Sequence, residues 1–283
     1  MSQKRIVAIH DISGFGKCSL TVALPICSAA GIETCVVPTA ILSTHTGGFK
    51  NFTFHDLTDE IMPIAEHWKA QGFKFDAFYT GYLGSKKQIK LVEKAIDTLK
   101  SEDSIFICDP AMADHGKLYV GFPKGFPLGM AELCKKADII VPNITEAVMM
   151  LGSEYVEGPY TKEYIEGLLR ELYDLTGAKI VLTGVYFNDI KLGAACFDGE
   201  NVSYVLADKI DVMFHGTGDV FASALTSALM CDRNLVSATE IAVNFTCESI
   251  KTTLKQNPER RYGVNFETEI PTLIKLLGLD DGE

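Results

Sequence analysis

Asp138-Ile139-Ile140-Val141-Pro142-Asn143-Ile144-Thr145-Glu146 is the stretch that decides how the chain folds. A short unbroken apolar run ends at Pro-Asn and passes directly into residues of helical character. An apolar run of this length, without alternation, suits a strand buried on both faces, as in a parallel sheet covered by helices. The same rhythm extends outward in both directions. Ahead of it, strands are expected at 5–9, 34–38, 77–80 and 104–109, with helices at 18–30, 58–71, 86–100 and 129–137. Beyond it, helices are expected at 145–151, 161–176, 218–230 and 236–254, with a strand at 179–182. Segments 192–198 and 203–207 read as a hairpin turning near Gly199. The pattern predicts one α/β domain over 1–283, with a central, mostly parallel sheet and an antiparallel edge hairpin. Segment 114–129, rich in Gly and Pro, is expected as a long irregular loop acting as a lid or insertion.

Composition narrows the function classes. The chain has 283 residues, 47% hydrophobic and 22% charged, with a formal charge of −11. An acidic balance of this kind excludes nucleic acid and anionic membrane as main partners, since both need a basic footprint. A nucleotide substrate remains open, because backbone amides and a bound cation can hold phosphates. The eight cysteines form no C-x-x-C pair and sit mostly in apolar runs, so buried reduced thiols are expected rather than a zinc or redox centre. With no signal-peptide pattern and no apolar run near the ~20 residues of a membrane span, a cytoplasmic location is expected. Disorder is expected only for 280–283.

In open α/β sheets, ligands bind beyond the carboxyl ends of the strands. The residues there are polar and differ at each strand: His10-Asp11, Ser43-Thr44-His45-Thr46, Gly81-Tyr82, Asp109, Asn143, Thr183 and the Gly216 region. In Phe214-His215-Gly216-Thr217-Gly218-Asp219, two glycines precede an amphipathic helix, leaving backbone N–H groups to cradle an anion. Asp219 in that turn has two readings: a general base taking a hydroxyl proton, or a helix-capping acid. Asn143 and Glu146, three apart at a helix start, also have two: orienting the water shell of Mg²⁺, or forming a capping box. Asp109, which follows an apolar strand and precedes Pro110, is a third strand-end acid.

Two tempting motifs fail. Gly14-Phe15-Gly16-Lys17-Cys18-Ser19 lacks the first glycine and the Ser/Thr of a P-loop, where Asp11 and Cys18 stand. It also lacks the third glycine of a dinucleotide fingerprint, where Ser19 stands. A tight strand-to-helix turn with a solvated Lys17 is the expectation.

Gly216-Thr217-Gly218-Asp219 resembles the anion-hole motif of the ribokinase-like superfamily. Thr80-Gly81-Tyr82-Leu83-Gly84-Ser85, Cys108-Asp109-Pro110-Ala111-Met112 and Pro142-Asn143-x-x-Glu146 resemble the pyridoxal kinases, in matching order. The resemblance runs from Ile6 to about Thr252. It implies a three-layer α/β/α kinase fold, ATP as co-substrate, Mg²⁺, and phosphorylation of the 5′-hydroxymethyl group of pyridoxal, pyridoxine or pyridoxamine. A monovalent cation is left open, and a homodimer is implied. On matching positions, Asp219 is the base, and Gly216, Thr217 and Gly218 form the anion hole. Asp109 and Glu146 organise Mg²⁺ through water. Asn143, Thr183 and the lid residue Tyr119 meet the nucleotide phosphates, while Thr46 and Tyr82 line the vitamer pocket.

The departures lie mostly near the substrate. His10-Asp11 replaces a frequent Gln-Ser, so Asp11 is expected either to meet the pyridine ring or to cap the following turn. Val141 replaces a common threonine, and Phe214-His215 the usual residues before the anion hole. Two alternatives are a hydroxymethylpyrimidine kinase of the same superfamily and a non-catalytic vitamer- or nucleotide-binding protein. The first fits His10-Asp11-Ile12-Ser13-Gly14 poorly, and an intact Asp219 speaks against the second. Sugar and nucleoside kinases carry an early β-lid, for which no room is expected before Thr58.

Overall fold

The computed structural model describes residues 3–280, so the expected disorder of 281–283 lies outside the described residues. The described elements are β1 (Arg5–Ser13), α1 (Leu20–Ala29), β2 (Glu33–Leu42), β3 (Phe54–Asp56), α2 (Ile61–Ala70), β4 (Ala77–Thr80) and α3 (Lys86–Leu99). There follow β5 (Ile105–Cys108), β6 (Ala113–Asp114), β7 (Lys117–Leu118), α4 (Phe126–Cys134), β8 (Ile139–Ile140), α5 (Ile144–Leu151) and α6 (Lys162–Thr176). The remainder is β9 (Lys179–Val185), β10 (Lys191–Phe197), β11 (Val202–Asp208), α7 (Thr217–Met230), α8 (Leu235–Gln256) and α9 (Ile270–Leu277).

Two compact units form, one from the residues up to Leu57 with those from Ile210 onward, the other from Thr58–Lys209. In the first unit β1 runs parallel to β2, and β3 pairs antiparallel on β2. Ile6, Val7, Ala8 and Ile9 of β1 are at most 1% exposed, as an unbroken apolar strand requires. Helix α1 packs on β1 and β2, and α7 packs between α1 and α8. Helix α7 is apolar nearly all round and buried from Val220 to Ala228, the mark of a core helix.

In the second unit β4, β5, β8 and β9 are parallel in that order. β10 then pairs antiparallel with β9, and β11 with β10. This is the expected α/β class with its antiparallel edge hairpin. Helices α5 and α6 both stop at a left-handed glycine, Gly152 and Gly177, where a side chain would be strained.

Two expectations are corrected, and two elements appear that the pattern did not predict. Segment 114–129 is not one irregular loop: β6 and β7 form a hairpin and α4 begins at Phe126. His115 and Gly116 both take positive φ, 48° and 72°, the two-residue turn that matches strand twist. Ahead of Thr58 the chain adds a strand that the pattern did not predict, β3, whose three residues are all exposed, too short to leave an alternating signature. Helix α9 was not foreseen. Lys17 is not solvated: its Nζ lies 2.6 Å from Glu267 and 5.5 Å from the centroid of Phe266.

Candidate active site

In the first unit, the residues singled out converge on the N-terminal turns of α1 and α7. Gly216 caps α7 in the left-handed region, φ 77°. A Cβ there would lie 1.8 Å from the Lys17 carbonyl oxygen, so only glycine lets the two turns meet. Thr217, Gly218 and Asp219 follow as the first turn of α7, whose leading N–H groups have no intrahelical partner. Asp219 is partly buried, and its carboxyl titrates at about 7, raised by desolvation and then by the charge of Asp11. Hydrogen bonds from the Ser19 backbone and its own N–H act in the opposite direction.

Asp11 lies at the end of β1 and is 4% exposed. Its Oδ2 accepts from Ser13 Oγ at 2.9 Å and its Oδ1 from Ser19 Oγ at 2.6 Å. Both carboxylate oxygens therefore tie the strand end to the turn before α1. Burial raises its pKa as well.

Thr46 sits beside His45, whose role the sequence reading missed. Gly47 N–H donates to His45 Nδ1 at 3.0 Å, so Nδ1 is unprotonated and Nε2 carries the hydrogen toward the Tyr262 carbonyl, 3.3 Å away. Burial, then the neighbouring His215, lowers the His45 pKa, keeping the ring neutral. Phe15, Phe49 and Tyr262 complete an aromatic cluster: Phe15 and Tyr262 have ring centroids 4.9 Å apart, and His45 and Phe49 5.0 Å. His45 stood within the quoted strand-end motif; Tyr262 carried no local signal.

In the second unit, Asn143 and Glu146 form a complete capping box on α5. Glu146 Oε1 also accepts from Met112 N at 3.0 Å, and Met112 O accepts from Tyr119 N at 2.9 Å. The carboxylate thus pins the backbone leading to Tyr119. Burial raises its pKa to about 8. Thr183 bridges to Asn143 in parallel fashion, and its N–H donates to the Pro142 carbonyl at 2.9 Å. Asp109 N–H donates to Thr80 O at 3.0 Å, placing this acid at the ends of β4 and β5. Tyr82 stacks on Phe122, centroids 5.4 Å apart. Asn143, Glu146, Thr183 and Tyr119 therefore form one connected network, and it reaches Tyr82 through Phe122, whose N–H donates to the Tyr119 carbonyl at 3.3 Å.

No cluster of three or more His, Cys, Asp or Glu side chains able to hold a metal exists among the described residues. Mg²⁺ needs none, since it keeps several waters and takes phosphate oxygens with one or two carboxylates. Both oxygens of Glu146 accept backbone N–H groups, and a role toward the ion through water fits that arrangement. All eight cysteines are free thiols. No described helix is long and apolar enough to cross a membrane.

A sequence profile described as phosphomethylpyrimidine kinase matches residues 24–264, most of the chain. The chain belongs to the phosphomethylpyrimidine kinase family. It is 26% identical over 199 residues to the hydroxymethylpyrimidine/phosphomethylpyrimidine kinase of Aquifex aeolicus, covering 70% of this chain and 73% of that protein. A crystallised protein of Bacteroides thetaiotaomicron, named for the same kinase activity, is 36% identical with a TM-score of 0.91, covering 96% and 94% of the two chains. That protein was also crystallised with pyridoxal. Pyridoxal kinase from Lactobacillus plantarum is 28% identical with a TM-score of 0.89, covering 99% and 100%. These likenesses establish the ribokinase-like fold and a kinase acting on an alcohol oxygen.

Proposed function

We propose that this chain transfers the γ-phosphoryl group of ATP to the 5′-hydroxymethyl oxygen of pyridoxal, pyridoxine or pyridoxamine. The observation that carries the reading is Asp219, an acid titrating at about 7 in the first turn of α7, three residues after a left-handed glycine. A carboxylate poised there takes the hydroxyl proton as that oxygen attacks phosphorus. Thr217 and Gly218, with the cap Gly216, offer backbone donors to the charge that develops on the transferred group. Thr46 and Tyr82 hold the vitamer, and Asn143, Thr183 and Tyr119 hold the nucleotide phosphates. Mg²⁺, oriented by Asp109 and by Glu146 through water, supplies charge neutralisation on those phosphates. One kinase domain, a homodimer and a cytoplasmic setting complete the proposal. Light scattering on the purified protein tests the dimer.

The decisive assay is coupled ADP release with pyridoxal, pyridoxine, pyridoxamine and hydroxymethylpyrimidine. Turnover on the vitamers supports the proposal. Turnover on the pyrimidine alone moves the chain to the activity named for the Aquifex relative, and none on any leaves a binding protein. Asp219→Asn should lower kcat by roughly 10²-fold or more with KM little changed. A near-normal kcat in that variant overturns the base assignment.

A further inference from the structure

Ser19 joins the two acids of the first unit, and it does so against its own local preferences. It stands at the N-cap of α1, where a serine hydroxyl ordinarily accepts an N–H of the first turn. It makes no such cap bond. The hydroxyl instead donates to Asp11 Oδ1 at 2.6 Å, while the turn leading into Ser19 packs on the cap of α7, where a Cβ at Gly216 would lie 1.8 Å from the Lys17 carbonyl oxygen and 3.5 Å from Cys18 Cβ. Its φ of 52° and ψ of −133° fall outside the regions open to residues with a Cβ, at a cost of order 1–3 kcal/mol. The residue is 4% exposed. The short bond to Asp11 is the side-chain contact that holds this buried serine in its strained backbone conformation.

Resting on the reading of Asp219 as base, we propose that Ser19 is a positioning residue for phosphoryl transfer. In this arrangement Asp11, braced by Ser13, draws the Ser19 hydroxyl inward and so fixes the turn that abuts the first turn of α7, where Asp219 stands. Asp11 is then the anchor of the base rather than a contact to the vitamer ring. The turn so fixed orients the Asp219 carboxylate, and the Ser19 backbone favours its ionised form. The negative charge of Asp11 has the opposite effect on Asp219, so the pair sets both the direction and the basicity of the carboxylate. The titratable groups facing Asp219 are Asp11 from β1 and Cys18 from the turn before α1.

The test is steady-state ADP release with each vitamer from about pH 5.5 to 9, with thermal melts, on the full chain and on Ser19→Gly, Asp11→Asn and Asp219→Asn. Glycine relieves the positive φ while deleting the tether. Ser19→Gly should keep or raise Tm and yet lose about 10-fold in kcat, both KM values staying within about twofold. Asp11→Asn should lower kcat, move the acidic limb of the pH profile to lower pH, and leave the vitamer preference unchanged. Normal kcat in both variants overturns the proposal. So does a parallel loss of Tm and kcat in Ser19→Gly, which marks a purely structural serine. A change in vitamer KM alone in Asp11→Asn would return Asp11 to the ring. If Asp219→Asn is inactive while the other two are normal, only the positioning role fails; if Asp219→Asn is active, the base reading itself fails.

Discussion

Asn143 and Glu146 cap each other: the Asn143 side chain accepts the Glu146 N–H at 2.9 Å, and the Glu146 carboxylate accepts the Asn143 N–H at 2.9 Å. The same carboxylate reaches Met112 N at 3.0 Å. Glu146→Ala strands at least two buried backbone donors, and each orphaned group costs about 1–3 kcal/mol. Urea unfolding should show a loss of about 3 kcal/mol, well beyond that of an ordinary surface substitution.

Stability should fall as pH rises. Asp219 and Glu146 are raised from 3.8 and 4.5 to about 7 and about 8. Between those limits the native state binds more protons than the unfolded one, so the sign of the linkage is negative. The protein without nucleotide should melt highest on the mildly acidic side and lower as pH climbs through about 7 to 8. Asp219→Asn should flatten that slope; an unchanged slope would place the titration elsewhere.

The same ionisation has the opposite consequence for rate. A base must be unprotonated to act, so kcat should rise with pH through about 7, the value at which Asp219 titrates. A pH–rate profile under saturating substrates reads this directly.

Gly216→Ala should be severely damaging. The added methyl would lie 1.8 Å from the Lys17 carbonyl oxygen, and the residue holds φ 77°. Because the obstacle is backbone, the turn before α1 must move. A loss of about 3 kcal/mol or more in stability, together with loss of turnover, is expected from melts and the ADP assay.

Gly16→Ala should separate vitamer binding from nucleotide binding. Its methyl would meet His45 Cδ2 at 2.1 Å, displacing the ring that neighbours Thr46. KM for the vitamer should rise about 10-fold while KM for ATP holds, the pattern of lost ground-state binding. Equal changes in both would argue that His45 does not position Thr46.

Much of the candidate site was legible in local motifs. Gly216 to Asp219 stood out because glycines before a helix have one main use, and Asn143 with Glu146 because capping chemistry has a fixed spacing. Even so, the spacing could not show that Glu146 also accepts the Met112 N–H, a contact that only the tertiary structure supplies. The edge strand β3 and the hairpin of β6 and β7 escaped because two or three residues carry no periodicity.

The alternation of apolar strands and amphipathic helices determined the α/β class and the strand ends where polar residues gather, because burial on two faces leaves a local imprint. Only the tertiary structure decided what those polar residues do. Asp11 is engaged by Ser13 and Ser19, His45 is hydrogen-bonded by Gly47 and Tyr262, and Lys17 is paired with Glu267. Partners such as Tyr262 and Glu267 come from segments far along the chain, and a hydrogen bond between distant segments leaves no spacing to read. The charge state of Asp219 belongs to the same class, since it depends on how much water the surrounding fold removes.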